Sequence, residues 1–208
     1  MLKEKYSNIK FVNLGKPGES VKSLYTRLMN EKLEMDYNLS FLWIGVNDVY
    51  SKLLSVQAQP IAKDLVEFEE YYTKVLELII KSSKKVITVT PAIVGENTNN
   101  VSNSEIKQMN ILIESIASKY ENVSFLNMQS VFFNHLSKVN PTDYINTKVT
   151  RVMMDVLLYK KASRVDKISK KRGLHLTLDG IHLNSAGAKI VADCYAYIIK
   201  DYLQHTKV

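Results

Sequence analysis

The residues best equipped for chemistry fall in three short clusters. The first is Asp179-Gly180-Ile181-His182, followed by Leu183-Asn184-Ser185-Ala186-Gly187. A histidine that moves a proton during hydrolysis needs a partner that fixes its tautomer and stabilises the imidazolium. An aspartate three residues earlier, on a turn before a helix, can supply that. An aspartate turn whose histidine caps the last helix accounts for the same residues, because so short a motif proves little. The second cluster, Gly45-Val46-Asn47-Asp48, directly follows an apolar run. An Asn amide there can donate to an oxyanion while glycine lets the backbone approach a substrate. A plain turn satisfied by Asn and Asp is the alternative. The third runs from Val12 to Ser20 and puts Gly18 at a strand-to-helix turn. Its N–H could be a further oxyanion donor, or Gly18 could simply be a turn glycine at positive φ.

The elements that must position these residues alternate short β-rich runs with longer helical patterns. Ile9–Leu14 reads as a strand broken by Gly15-Lys16-Pro17-Gly18, and Ser20 caps a helix over Val21–Leu33. Leu39–Ile44 is a near-continuous apolar run, as expected for a parallel strand buried on both faces. Pro60–Lys81 repeats apolar residues near every 3.6 positions, and Lys85–Thr90 is the next strand. An Asn-rich loop over Val94–Asn103 precedes a helix from Ser104 to Lys119, and Val123–Asn127 gives a short strand. Helical spacing returns over Thr147–Lys160, and Ala186–Leu203 closes the chain as a helix. Strands alternating with helices predict βαβ units, a mostly parallel sheet and a three-layer α/β/α sandwich. In such sheets functional loops gather at the carboxyl ends of the strands, where each cluster falls.

In order and context the three clusters resemble the SGNH (GDSL-type) hydrolases, whose name lists Ser, Gly, Asn and His. The resemblance runs from Ile9 to the last helix. It implies acyl-ester hydrolysis of the esterase or lipase kind, on a small ester substrate, with neither cofactor nor metal. It makes Gly18 and Asn47 oxyanion-hole donors, His182 the general base and Asp179 its orienting partner. A non-catalytic descendant that keeps the fold to bind carbohydrate, lipid or a protein is the alternative.

The pattern departs at its first block. The family's Gly-Asp-Ser, which ends the first strand and carries the nucleophile, does not occur, and only 17 residues precede Gly18. No nucleophile is identifiable: Ser20 reads as a helix cap and Ser185 as the start of a helix. In the flavodoxin-like order 2-1-3-4-5 the first strand lies between the second and third, so its absence leaves two inner edges without partners. The expectation is one domain over residues 1–208, N-terminally truncated relative to the family and inactive as it stands. Its gap would be closed by pairing the Ile9 and Leu39 strands, or covered by a second copy in a homodimer.

The chain's 208 residues, 46% hydrophobic and 24% charged, suit one domain with a real core. One cysteine, Cys194, excludes an intrachain disulfide framework and reads as a buried core residue. His175 and His182 flank Asp179 without completing a metal shell, and His135 and His205 lie in unrelated segments. The net charge of +7 is concentrated in Lys148, Arg151, Lys160, Lys161, Arg164, Lys167, Lys170, Lys171 and Arg172, opposed by Asp155 and Asp166. One local patch argues against a nucleic-acid-binding surface. The stretch 141–172 is long for a connection, so a lid or basic insertion facing an anionic surface is one expectation and a solvated helix the other. No apolar run approaches the roughly 20 residues that span a bilayer. The segment MLKEKYSNIK is neither a signal nor a transit peptide, which leaves the cytoplasm as the default.

Overall fold

Three parallel strands, β1 (Tyr37–Trp43), β2 (Ser83–Val89) and β3 (Val123–Leu126), pair in the order β1-β2-β3. The computed structural model describes residues 1–33, 36–54, 59–148 and 161–205. Register is set with Leu39 opposite Lys85, Trp43 opposite Val89, and Val86 opposite Val123. Successive strand side chains point to opposite faces, so one alternation feeds two cores. Leu42 and Val86 enter the core under α2 (Val21–Asn30), α4 (Leu65–Ile80) and α5 (Val101–Ala117). Leu39, Phe41, Ile87 and Val89 enter the opposite core under α6 (Met128–Leu136) and α8 (Ser185–His205). The result is the α/β/α sandwich expected, with a parallel sheet.

Helices α2, α4, α5, α6 and α8 start where side chains replace the missing backbone partners of a first turn. Ser20 caps α2 in a reciprocal capping box with Ser23. Asp64 accepts the Glu67 N–H at 2.8 Å to start α4. Asn127 starts α6 through Ser130, and Asn184 accepts the Gly187 N–H at 3.0 Å at the head of α8. On α4, Phe68, Tyr72, Val75 and Leu76 are all essentially inaccessible. Each such side chain contributes about 1.5–3 kcal/mol of transfer free energy, so that face holds the helix to the sheet. Among the described residues the remaining α-helices are α1 (Leu2–Lys5), α3 (Val46–Tyr50) and α7 (Ala162–Lys171).

Several expectations need correction. Ile9–Leu14 is not a strand: Ile9 and Phe11 are half-buried and Lys10 and Val12 exposed, but the segment joins no ladder. Alternation alone makes no strand without a neighbour to receive its backbone groups. Pairing between the Ile9 and Leu39 segments is therefore absent. Instead of starting at Ser104, α5 begins at Val101, capped by Asn100, whose side chain accepts the Asn103 N–H at 2.7 Å. Gly45–Asp48 is not a plain turn, since Gly45 leads directly into α3. Cys194 is only half-buried against the α6–α8 core. Helix α6 carries no counterpart in the sequence reading. The helix expected over Thr147–Lys160 lies almost wholly outside the described residues.

Candidate functional site

The Asp179–His182 cluster closes on itself. Asp179 is fully buried, and its Oδ1 accepts the N–H groups of Ile181 (3.1 Å) and His182 (2.8 Å). Its Oδ2 stands 2.9 Å from Nδ1 of the His182 ring, whose side chain is 43% exposed. Burial pushes the Asp179 carboxyl up, but the His182 ring bond, its charge and the two backbone donors outweigh that and hold it below the usual range. A buried carboxylate and a solvent-accessible imidazole are thus in direct contact.

Gly18 and Asn47 are also brought together. Gly18 has φ +76° and open space where a Cβ would sit, so conformation rather than crowding selects glycine. The Asn47 side-chain amide donates to the Glu19 carbonyl at 2.9 Å, beside Gly18. Glu19 in turn is gripped by Arg27 and accepts the Lys16 N–H at 3.3 Å, which secures the loop. Asp48, next to Asn47, accepts from the backbone of Val21 (2.9 Å) and Ala62 (3.2 Å) and so ties α3 to the start of α2. Burial raises its carboxyl to about 6 despite those donors.

Tyr50 links the two halves. At the end of α3, its hydroxyl donates to the Asn146 carbonyl, and the Asn146 N–H donates to the Asp179 carbonyl at 2.9 Å. Burial, then the Asp179 charge, push the Tyr50 hydroxyl up to about 12, so it keeps its proton. Ser20 and Ser185 do not take the nucleophile's place. Ser20 is inaccessible, capping α2 and donating to the Pro60 carbonyl. Ser185 opens α8 with its N–H bonded to Asp166 at 3.0 Å. The cleft lined by Asn140, Thr142, Lys170, His175 and Ser185 includes none of Gly18, Asn47, Asp179 or His182. Among the described residues, no group of three or more His, Cys, Asp or Glu side chains could hold a metal ion.

The chain belongs to the GDSL-like lipase/acylhydrolase family. The family model matches residues 2–195. Solved structures with the same fold include the acetyl xylan esterase AlAXEase, at TM-score 0.69 and 22% identity over 95% of this chain and 88% of that one. LAE5, an alpha/beta hydrolase enzyme from the metagenome of Lake Arreo, Spain, matches at TM-score 0.63 and 18% identity, over 93% of this chain and 75% of that one. Axe2, an acetylxylan esterase from Geobacillus stearothermophilus, matches at 0.60 and 20% identity, over 88% of this chain and 69% of that one. No curated protein matches significantly.

The structure also brings in residues that the sequence reading passed over. Arg172, grouped there with the basic stretch, donates to the Leu178 carbonyl at 2.9 Å and lies over the Tyr144 ring at 5.3 Å. Glu96, in the Asn-rich loop after β2, is fully buried against the segment leading into Asp179. A carboxylate at the carboxyl end of a parallel strand was the available signal for it.

Proposed function

We propose that this GDSL-family chain carries the acid–base and oxyanion part of an acyl-ester hydrolase site, and that on its own it turns over no ester. The observation that supports the first half is the contact between buried Asp179 and the accessible ring of His182. In serine ester hydrolysis a hydroxyl attacks the acyl carbonyl, and the histidine takes its proton and returns it to the departing alkoxide. The aspartate keeps the second ring proton on Nδ1 and stabilises the imidazolium. Gly18 N–H and Asn47 are the oxyanion donors in this reading. Asn47 Nδ2 has two protons; one goes to Glu19 and the other is assigned to the oxyanion.

The second half follows from the nucleophile. The sequence has no Gly-Asp-Ser, and Ser20 is committed to its helix. Acetyl esters of carbohydrates are the substrate class we favour, because two of the structural neighbours, AlAXEase and Axe2, are acetyl xylan esterases. The test is hydrolysis of p-nitrophenyl acetate by the chain and by His182→Ala. Equal rates are expected, and His182-dependent turnover sinks the claim that no nucleophile is present. The missing Gly-Asp-Ser also favours a second reading, a non-catalytic binder of carbohydrate, lipid or protein. Genomic DNA upstream of the Met1 codon separates the two: an in-frame Gly-Asp-Ser supports the hydrolase, and an immediate stop codon supports the binder.

A further inference from the structure

Glu96 is a fully buried carboxylate, a costly group unless hydrogen-bond donors replace its water. Four donors do so, all from one short segment. Oε2 accepts the His175 N–H at 2.7 Å, and Oε1 accepts the N–H groups of Leu176 and Thr177, each at 2.8 Å. The Thr177 hydroxyl donates to the same oxygen at 2.8 Å. Having given its proton to Glu96, that hydroxyl presents its lone pairs outward, and one accepts the Gly180 N–H at 3.1 Å. Gly180 lies inside the Asp179–His182 turn. Beside this chain of bonds, the Gly95 N–H donates to the Gly180 carbonyl at 2.7 Å.

The loop that carries Glu96 is itself held from behind. Asn103, buried on α5, accepts the Val94 N–H at 2.9 Å and donates to the carbonyls of Gly95 (3.1 Å) and Asn97 (2.8 Å). The Asn103 carbonyl takes the Gln129 side-chain amide at 2.8 Å, from α6. Glu96 therefore connects two helices and the end of β2 to the turn bearing the acid–base pair.

We infer that Glu96 is a positioning residue for the Asp179–His182 pair, acting through the Thr177 hydroxyl on the Gly180 N–H of their turn. This rests on the acid–base role proposed for the pair. A charge-assisted bond depends steeply on its geometry, so a turn released from Thr177 holds the Asp179 oxygen less well against the ring. The loss reaches His182 as weaker stabilisation of its imidazolium.

The experiment is an NMR titration of the ¹³C-histidine-labelled chain, with His182 assigned by its disappearance in His182→Gln. Thr177→Val removes the hydroxyl while keeping the branched shape and the backbone bond to Glu96. Glu96→Gln keeps the length but offers one acceptor oxygen in place of two. Asp179→Asn is the reference for complete loss of the carboxylate. In both test variants the His182 midpoint is expected to fall toward that reference, by about half a unit to one unit. Cooperative unfolding and the methyl resonances of Val86 and Val123 should stay as in the parent. A midpoint equal to the parent's in both variants overturns the inference. Should Glu96→Gln fail to fold, Thr177→Val decides alone. If Asp179→Asn itself leaves the midpoint unchanged, the pair has no acid–base coupling; the proposed function falls, and this inference with it.

Discussion

Arg27 grips both carboxylate oxygens of Glu19, Nε at 2.5 Å and Nη2 at 2.8 Å, and also donates to the Leu14 carbonyl at 3.0 Å. Both side chains of the pair are nearly buried, at 13% and 11% exposure. The pair therefore fixes the loop that presents Gly18, and not merely a surface charge balance. Arg27→Ala leaves the Glu19 carboxylate without its main partner, and the expected loss is about 2 kcal/mol. Arg27→Lys should recover only part of it, because an ammonium cannot reproduce the two-pronged grip. Urea unfolding of the three proteins measures this, and equal stability of Arg27→Ala and the parent contradicts it.

Gly45 has φ +113°, and a Cβ there would lie 2.8 Å from Met109 Sδ, 3.1 Å from Pro91 Cγ and 3.2 Å from Phe68 Cζ. Gly45→Ala should thus add backbone strain to overpacking, about 2–4 kcal/mol together. Thermal unfolding reads the loss directly. Phe68→Ala in the same background should relieve part of the crowding and give a non-additive double mutant.

Asp48 makes a pH prediction. Its carboxyl is raised from 3.8 to about 6, mainly by burial. The folded state therefore binds this proton more tightly than the unfolded one, and stability contributed by the neutral form is present at low pH. It falls as pH rises from about 4 to about 6 and is level above that, by up to about 3 kcal/mol. Asp179 has the opposite sign: its lowered value contributes stability above about pH 4 that is lost on further acidification. Unfolding free energies should slope downward between about pH 4 and about pH 6 in the parent. In Asp48→Asn that component of the slope should vanish, although absolute stability falls with a lost backbone acceptor.

Arg172 separates from its basic neighbours. It binds the Leu178 carbonyl and covers Tyr144, whereas Lys170 and Lys171 are exposed on the last turn of α7. Arg172→Ala should cost about 1–2 kcal/mol through a lost charged hydrogen bond and ring contact. Lys170→Ala with Lys171→Ala should stay within about 0.5 kcal/mol of the parent. A similar loss in both proteins would mean that the stretch acts as one charged unit.

What the sequence determined by itself was local. The apolar run Leu39–Ile44, the helical period on α4 and the Asp-x-x-His spacing each place side chains within a few residues of one another. Strand pleat, helical turn and a four-residue turn convert such spacings directly into faces and contacts. The Asp179–His182 contact spans only that turn. The tertiary structure decided whatever depends on a distant partner. Ile9–Leu14 carries a strand's alternation but joins no ladder, because a strand exists only where another backbone accepts it. Glu96 and Thr177 are 81 positions apart, and Tyr50 and Asn146 are 96. Nothing in local periodicity encodes which buried polar groups will meet at such separations. Burial itself selects them, because each carboxylate or hydroxyl taken from water must find donors or acceptors wherever the folded chain returns.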